Sequence, residues 1–179
     1  MTSGATDGDV LTWDDSAGKW NSAAPSGGGG GGSSLKVHGF SIPGSTITDN
    51  MNTGTPTAYT LTSDVTVNGG FTSTSTTVTG VGKVRIEFTA TGACLSTSLR
   101  WAMGVQAYVD GTATGPYCVD YGRSNAGGVG TINGSVLVDC GTGASIEIRG
   151  ERPDGSSSNV PDPTNPYIGG YLTITQLEA

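Results

Sequence analysis

The chain has 179 residues, of which 34% are hydrophobic and 13% charged, and its net charge is −7. Its eight Lys and Arg residues do not cluster, so we expect no nucleic-acid partner, since phosphate binding needs concentrated positive charge. No run of about 20 apolar residues is present, and the first residues lack the basic-then-apolar pattern of a signal peptide, so we expect no membrane insertion.

The N-terminal segment, residues 1–24, is small and polar but contains two tryptophans. Its large apolar residues are Val10, Leu11, Trp13 and Trp20. These are too few to form a core, and tryptophan is a common interface anchor. Two alternatives are open: residues 11–13 and 19–20 fold on themselves as a hairpin, or the segment docks on another chain. We favour docking and predict an anchoring arm over 1–24.

A Gly/Ser-rich linker, residues 25–34, follows the arm and includes six consecutive glycines. A free linker of this length spans about 17 Å root-mean-square. The remaining residues, 35–179, are enough for one well-filled core. We therefore predict three parts: an extended arm, a linker and a single body.

Short strands are predicted throughout the body. Residues 83–88 alternate between charged and apolar positions. In residues 101–109, large apolar side chains recur at alternate positions, Trp101, Met103, Val105 and Val109, before an Asp110-Gly111 turn. Further strands are expected over 132–140, 146–149 and 172–174, with shorter ones at 59–61, 65–67, 76–78 and 117–121. No helical periodicity extends over 11 residues. Eight to ten short strands predict an all-β sandwich or barrel, with a polar loop over 151–166.

Two resemblances carry functional implications. The pattern G-D-V-L-T-W-D at 8–14 with G-K-W at 18–20 resembles the GxxLTWDG…KW element of tail-fibre and head-decoration proteins of tailed bacteriophages. Residues 58–177, through segments such as GKVRIEFTATG and PYIGGYLTITQL, look like a C1q/TNF-type jelly roll. That resemblance implies a jelly-roll β-sandwich that forms a homotrimer with its inner sheet against the three-fold axis. Region 66–82 is smaller and more polar than the family's strands.

Catalytic groups are scarce, so we expect no enzyme, no cofactor and no metal site. The single histidine, His38, is interpreted as a surface or interface imidazole. Glu147 and Glu151 are interpreted as a solvated face with Arg149 and Arg152, and calcium binding by Asp154 and Asp162 is disfavoured. The three cysteines form no CxxC pair and are expected to be mostly packed thiols: Cys94, Cys118 and Cys140.

A candidate recognition surface combines aromatic, amide and guanidinium groups in loops or at strand ends. Its members are Tyr117, Tyr121, Arg123, Asn125 and Tyr167. Such groups suit sugar or protein surfaces. The alternative, that they are turn and packing residues, stays open.

The resemblances favour a virion structural protein, specifically a capsid decoration (cement or head-fibre) protein anchored by its arm and projecting a trimeric β domain. The expected partners are the homotrimer and the major capsid protein, on the capsid surface of a virion assembled in the host cytoplasm. The alternative is a tail-fibre tip that joins a tail protein and binds a host-surface receptor, including a glycan. A polysaccharide-acting enzyme is the third and least favoured hypothesis.

Overall fold

The structure, a computed structural model, describes residues 10–14, 18–23, 35–50, 55–94, 100–123, 128–153 and 168–178. The chain divides into two units, Met1–Ser34 and Leu35–Ala179. Within the first unit, strands β1 (Val10–Asp14) and β2 (Lys19–Ala23) pair antiparallel. Of the two alternatives for this segment, the described backbone adopts the hairpin, and its docking on another chain stays a prediction.

The second unit contains ten described strands and one short helix. In chain order they are β3 (Val37–Pro43), α1 (Gly44–Asn50), β4 (Thr57–Ala58), β5 (Thr62–Val67), β6 (Val78–Gly80), β7 (Lys83–Cys94), β8 (Arg100–Val109), β9 (Thr112–Arg123), β10 (Gly128–Asp139), β11 (Ala144–Glu151) and β12 (Gly169–Glu178). Helix α1 was not predicted, because seven residues are too few to show helical periodicity.

The strands form two antiparallel sheets. Sheet I has the order β10-β7-β12-β3-β5, and sheet II has the order β4-β11-β8-β9, with β6 also pairing to β11. From β3 onward the chain passes between the sheets at every connection except the β8–β9 hairpin. The body is therefore an all-β, antiparallel sandwich of the jelly-roll class, as the sequence predicted.

The core lies between the two sheets, and strand alternation builds it. On β7, Val84, Ile86 and Phe88 are buried while Lys83, Arg85 and Glu87 are exposed, as the period-two pattern predicted. Sheet II contributes inward side chains of β8 and β11: Met103, Val105, Ile146 and Ile148. Asp110 and Gly111, with φ of 48° and 75°, form the predicted two-residue turn between β8 and β9.

Two of the shorter predicted strands are misplaced. Residues 59–61 are not a strand; the pairing ends at Ala58, and Tyr59 instead adds one backbone hydrogen bond to Ile148. The strand expected over 76–78 begins only at Val78. In both places the hydrophobic residues are buried, although most of the predicted positions lie outside the strands. Tyr59, Leu61 and Val78 all belong to the core.

Aromatic rings lie against glycines of neighbouring strands at four places in the sandwich. In each, a side chain added to the glycine would overlap the ring. The pairs are Tyr59 with Gly150, Phe88 with Gly134, Tyr117 with Gly104, and Tyr171 with Gly39. A glycine inside a strand weakens it, and an aromatic ring laid over the glycine restores buried contact. Two of these pairs, those of Tyr117 and Tyr171, define the outward faces described next.

Candidate functional site: the N-terminal hairpin and two outward faces

The hairpin register sorts the four predicted anchor residues by face. Trp13 is the direct partner of Trp20, and Leu11 is two residues before Trp13 on the same strand. Because strand positions alternate, Leu11, Trp13 and Trp20 share one face of the ribbon, and Val10 occupies the opposite face. The structure thus brings three of the four predicted residues onto one face.

A two-stranded hairpin is marginally stable at best in water. The strands here have five residues each and pair only with one another among the described residues. These ten strand residues include two tryptophans and one leucine.

The outward face of sheet II is organised by Tyr117. The phenol end of this side chain crosses strand β8 at Gly104. On the far side its hydroxyl donates a hydrogen bond to the Glu151 carboxylate of β11. Burial, followed by this bond and the Glu151 charge, raises the pKa of Tyr117 far above its usual value, so the phenol stays protonated. Tyr117 nevertheless remains 40% exposed.

Charged side chains continue this face along β11. Arg149 makes an ion pair with Glu147, at 2.6 Å between Nη2 and Oε2, and its guanidinium lies 4.3 Å from the centre of the Tyr108 ring. Thr77 donates a further hydrogen bond to Glu147. Glu147 and Arg149 do share a face, but it is not the solvated face that the sequence predicted, because the Arg149 and Glu147 side chains are only 26% and 19% exposed.

The predicted recognition residues are only partly brought together. Tyr117 and Tyr121 lie on β9, and Tyr121 is 65% exposed. Arg123 ends that strand as the register partner of Arg100. Asn125 and Tyr167 lie outside the described residues. The sequence reasoning missed Tyr108 and Gly104; a glycine inside the alternating strand 101–109 was the available signal for a close approach.

The outward face of sheet I has a different composition. Tyr171 of β12 crosses β3 at Gly39 and forms one wall of a surface groove of about 370 Å³. Threonine, serine, asparagine and glutamate side chains line the groove: Glu87, Thr89, Asn133, Ser135 and Thr173. The Phe88 ring lies beneath Gly134 and forms the floor. On β10, the edge strand of sheet I, Leu137 is 64% exposed.

The structure contradicts the interpretation of His38 as a surface or interface imidazole. It is 4% exposed and stacks on Phe40 at 3.9 Å between ring centres. Nε2 lies 2.7 Å from Ser63 Oγ, and Nδ1 lies 3.2 Å from both N and O of Phe71. The loop containing Gly70 closes over the imidazole, and this burial lowers the pKa of His38. The sequence interpretation failed because the covering loop lies more than 30 residues away.

The described part of the chain gives no indication of a metal site. Cys118 and Cys140 are free thiols, and burial raises the pKa of each, which keeps both protonated near neutral pH. Among the described residues, no three His, Cys, Asp or Glu side chains are grouped for a metal ion. No described helix has the length and hydropathy to cross a membrane. Cys94 closes β7, and Asp154 and Asp162 lie outside the described residues.

Comparison with known proteins gives structural similarity without sequence similarity. No family model and no curated protein matches the chain. The PRD1 vertex protein P5 is similar with a TM-score of 0.50 and 11% identity, over 80% of this chain and 97% of that one. Murine APRIL (TM-score 0.49, 12% identity, 80% and 99% coverage) and the globular domain of zebrafish complement 1qA (0.47, 12%, 79% and 98%) are also similar. At these identities the similarity shows the jelly-roll fold alone.

Proposed function

We propose that this chain is a capsid decoration protein, of the cement or head-fibre type, that anchors on a viral shell by its N-terminal hairpin and projects a trimeric jelly-roll body. The observation that carries the proposal is the hairpin register, which puts Leu11, Trp13 and Trp20 on one face of a ribbon too small to be stable alone. The LTWD…KW resemblance supports the same assignment. A protein of similar fold, P5, is a vertex protein of PRD1.

The anchoring mechanism is burial of apolar area in a groove of the shell. Each Å² of apolar surface removed from water contributes about 25 cal/mol, so two tryptophans and a leucine give a useful but modest affinity per hairpin. Three hairpins on one trimer bind with increased avidity, because the first attachment raises the effective concentration of the others. The sequence at 27–32 is six glycines, a composition typical of linkers between a binding element and the body that it carries.

The trimer that we propose uses the outward face of sheet I. The C1q/TNF-type resemblance implies this arrangement, and the chemistry of the face supports it. Arg85 and Glu87 are exposed there and make no ion pair with the described residues, and Leu137 is exposed nearby. Neighbouring copies around a three-fold axis can pair these charges and cover the leucine.

A second candidate function is a tail-fibre tip that binds a host receptor. The observation that favours it is the exposure of Tyr117 and Tyr121 on the outward face of sheet II, away from the proposed trimer contact. This candidate shares the fold and the trimer with the first, and differs in where the hairpin is attached.

The test is binding to shells that lack the protein. Trp13→Ala is expected to lose most shell binding while the body stays folded, because it removes a central anchor of the apolar face. Thr12→Ala, one position along and on the opposite face of the same strand, is the matched control and should bind as the unmodified chain does. Shell binding that is equal for Trp13→Ala and the unmodified chain would overturn the proposal.

Immunogold labelling with antibodies against residues 35–179 separates the candidates: gold on the head supports decoration, and gold confined to the tail supports the fibre tip.

A further inference from the structure

We propose that the outward face of sheet II is a saccharide-binding site centred on Tyr117, and that its ligand is a neutral oligosaccharide. The inference goes beyond shell anchoring and does not depend on it, because all the residues from which it is argued belong to the unit Leu35–Ala179. It rests on three features of the face: a fixed aromatic ring, a rim of polar groups, and an arginine that is already paired within the chain.

The ring of Tyr117 is held in place before any ligand arrives. Gly104 lets the phenol end lie directly on strand β8, and the hydroxyl is bonded to Glu151 on the next strand. Tyr117 as a whole residue is still 40% exposed. A rigid aromatic side chain binds with little loss of conformational entropy, which is why tyrosine recurs in recognition surfaces. The C–H-rich face of a sugar ring is a suitable partner for such an exposed aromatic surface.

Polar groups surround the ring on the neighbouring strands. The Glu151 carboxylate accepts the Tyr117 bond and has further acceptor capacity. Gln106 is fixed by a 2.9 Å hydrogen bond from Nε2 to the Gly115 carbonyl, which leaves its Oε1 as an acceptor. Tyr121 stands four residues along β9 from Tyr117, about 13 Å away at the rise of an extended strand. Aromatic and hydrogen-bonding groups therefore alternate over a length that suits several sugar units.

The charges of this face point to a neutral ligand. Glu147 is paired with Arg149 and also accepts from Thr77, and Glu151 accepts from Tyr117. Arg149 is additionally packed on the Tyr108 ring. An anionic ligand would meet the Glu151 carboxylate, which has no ion pair among the described residues, and would have to displace Glu147 from Arg149, whereas sugar hydroxyls can use the remaining lone pairs without breaking that pair.

The experiment is solution titration of the full chain with neutral trisaccharides of glucose, galactose, mannose and N-acetylglucosamine, and with a sialylated trisaccharide. We expect at least one neutral trisaccharide to bind with a dissociation constant of about 1 mM or tighter. Tyr117→Ala should weaken that binding by about tenfold or more, and Tyr117→Phe, which keeps the ring, by about threefold or less.

The matched control is Tyr171→Ala, which removes the corresponding tyrosine-over-glycine pair on sheet I. It should bind the trisaccharide as the unmodified chain does, because titration in solution reports affinity per site regardless of oligomeric state. Circular dichroism and thermal unfolding establish that each variant is folded. The proposal is overturned if no neutral trisaccharide binds, if Tyr117→Ala binds normally, if Tyr171→Ala loses binding equally, or if the sialylated sugar binds more tightly than every neutral one.

Discussion

The two outward faces of the sandwich are built alike and differ in how they treat their charges. On each, a tyrosine crosses a neighbouring strand at a glycine: Tyr171 at Gly39 on sheet I and Tyr117 at Gly104 on sheet II. Sheet II pairs Glu147 with Arg149 within the chain. Sheet I pairs Lys83 with Glu178, but leaves Arg85 and Glu87 without an ion pair among the described residues. It also exposes Leu137, the register partner of Arg85.

This difference suggests a division of roles. Unpaired charges of opposite sign next to exposed aliphatic surface are expected where a neighbouring copy completes the contacts, whereas a face whose arginine is already paired within the chain is suited to solvent and to a displayed ligand. The predictions below test that division, beginning with the largest expected effect.

The Phe88 ring supports sheet I from below, and its removal should have the largest effect on stability. Phe88→Ala removes a 3% exposed side chain and leaves a cavity under Gly134, so we expect the free energy of unfolding to fall by about 3–5 kcal/mol. Urea titration measures the change. Thr89→Ala, at the adjacent outward position, is the control and should change stability by about 0.5 kcal/mol or less. A Phe88→Ala loss as small as the control's would show that the groove floor is not packed as described.

Two substitutions with nearly equal exposure compare the faces directly. Leu137 on sheet I is 64% exposed and Tyr121 on sheet II is 65% exposed. Leu137→Asp should dissociate the proposed trimer, because three added carboxylates near the axis cost about 2 kcal/mol or more in desolvation and repulsion. Tyr121→Asp should leave the trimer intact. Sedimentation velocity distinguishes them, and dissociation by Tyr121→Asp alone would reverse the assignment of the faces.

The buried hydroxyl of Tyr59, under sheet II, leads us to expect a substitution that increases stability. Tyr59 is fully buried against Gly150, and its hydroxyl has no hydrogen-bond partner among the described residues. Tyr59→Phe removes the unsatisfied group while keeping the ring, so we expect the protein to become more stable by about 1 kcal/mol. Thermal unfolding measures the shift. A clear loss of stability would mean that the hydroxyl makes a bond in solution.

The smallest effect is a pH dependence at the β3–β5 edge of sheet I. The pKa of His38 is lowered by burial, so the unfolded chain binds a proton more readily than the folded one. Stability from this group is therefore present above the unfolded pKa of about 6.5 and is lost as the pH falls below it, toward the folded pKa. The melting temperature should drop between pH 7.5 and 5.5 in the unmodified chain. His38→Gln, which cannot titrate, should show a smaller drop; an identical drop would assign the dependence to other groups.

Local patterns in the sequence were sufficient for the sandwich and much of its core. The alternation of Val84, Ile86 and Phe88 needs only a pleated strand with one buried face, and the Asp110-Gly111 pair needs only backbone sterics. Information of this kind is contained in neighbouring residues. It therefore predicted the fold class and the position of the β8–β9 hairpin.

The features that the sequence did not predict depend on contacts across the sheets. The burial of His38 requires the loop at Gly70, and the position of Tyr117 over Gly104 requires the register of three strands. A single sequence does not contain that register. The recognition residues were consequently predicted as separate groups in loops or at strand ends, whereas Tyr117 proved to be part of a cross-strand arrangement with Gly104.

The most direct test of the account is a cryo-electron microscopy reconstruction of virions that carry this protein. We predict density for the body on the head, in groups of three, with sheet I toward the three-fold axis, sheet II outward, and the N-terminal hairpin in contact with the shell. Density at the tail alone, or an attached body whose hairpin makes no contact with the shell, would contradict it.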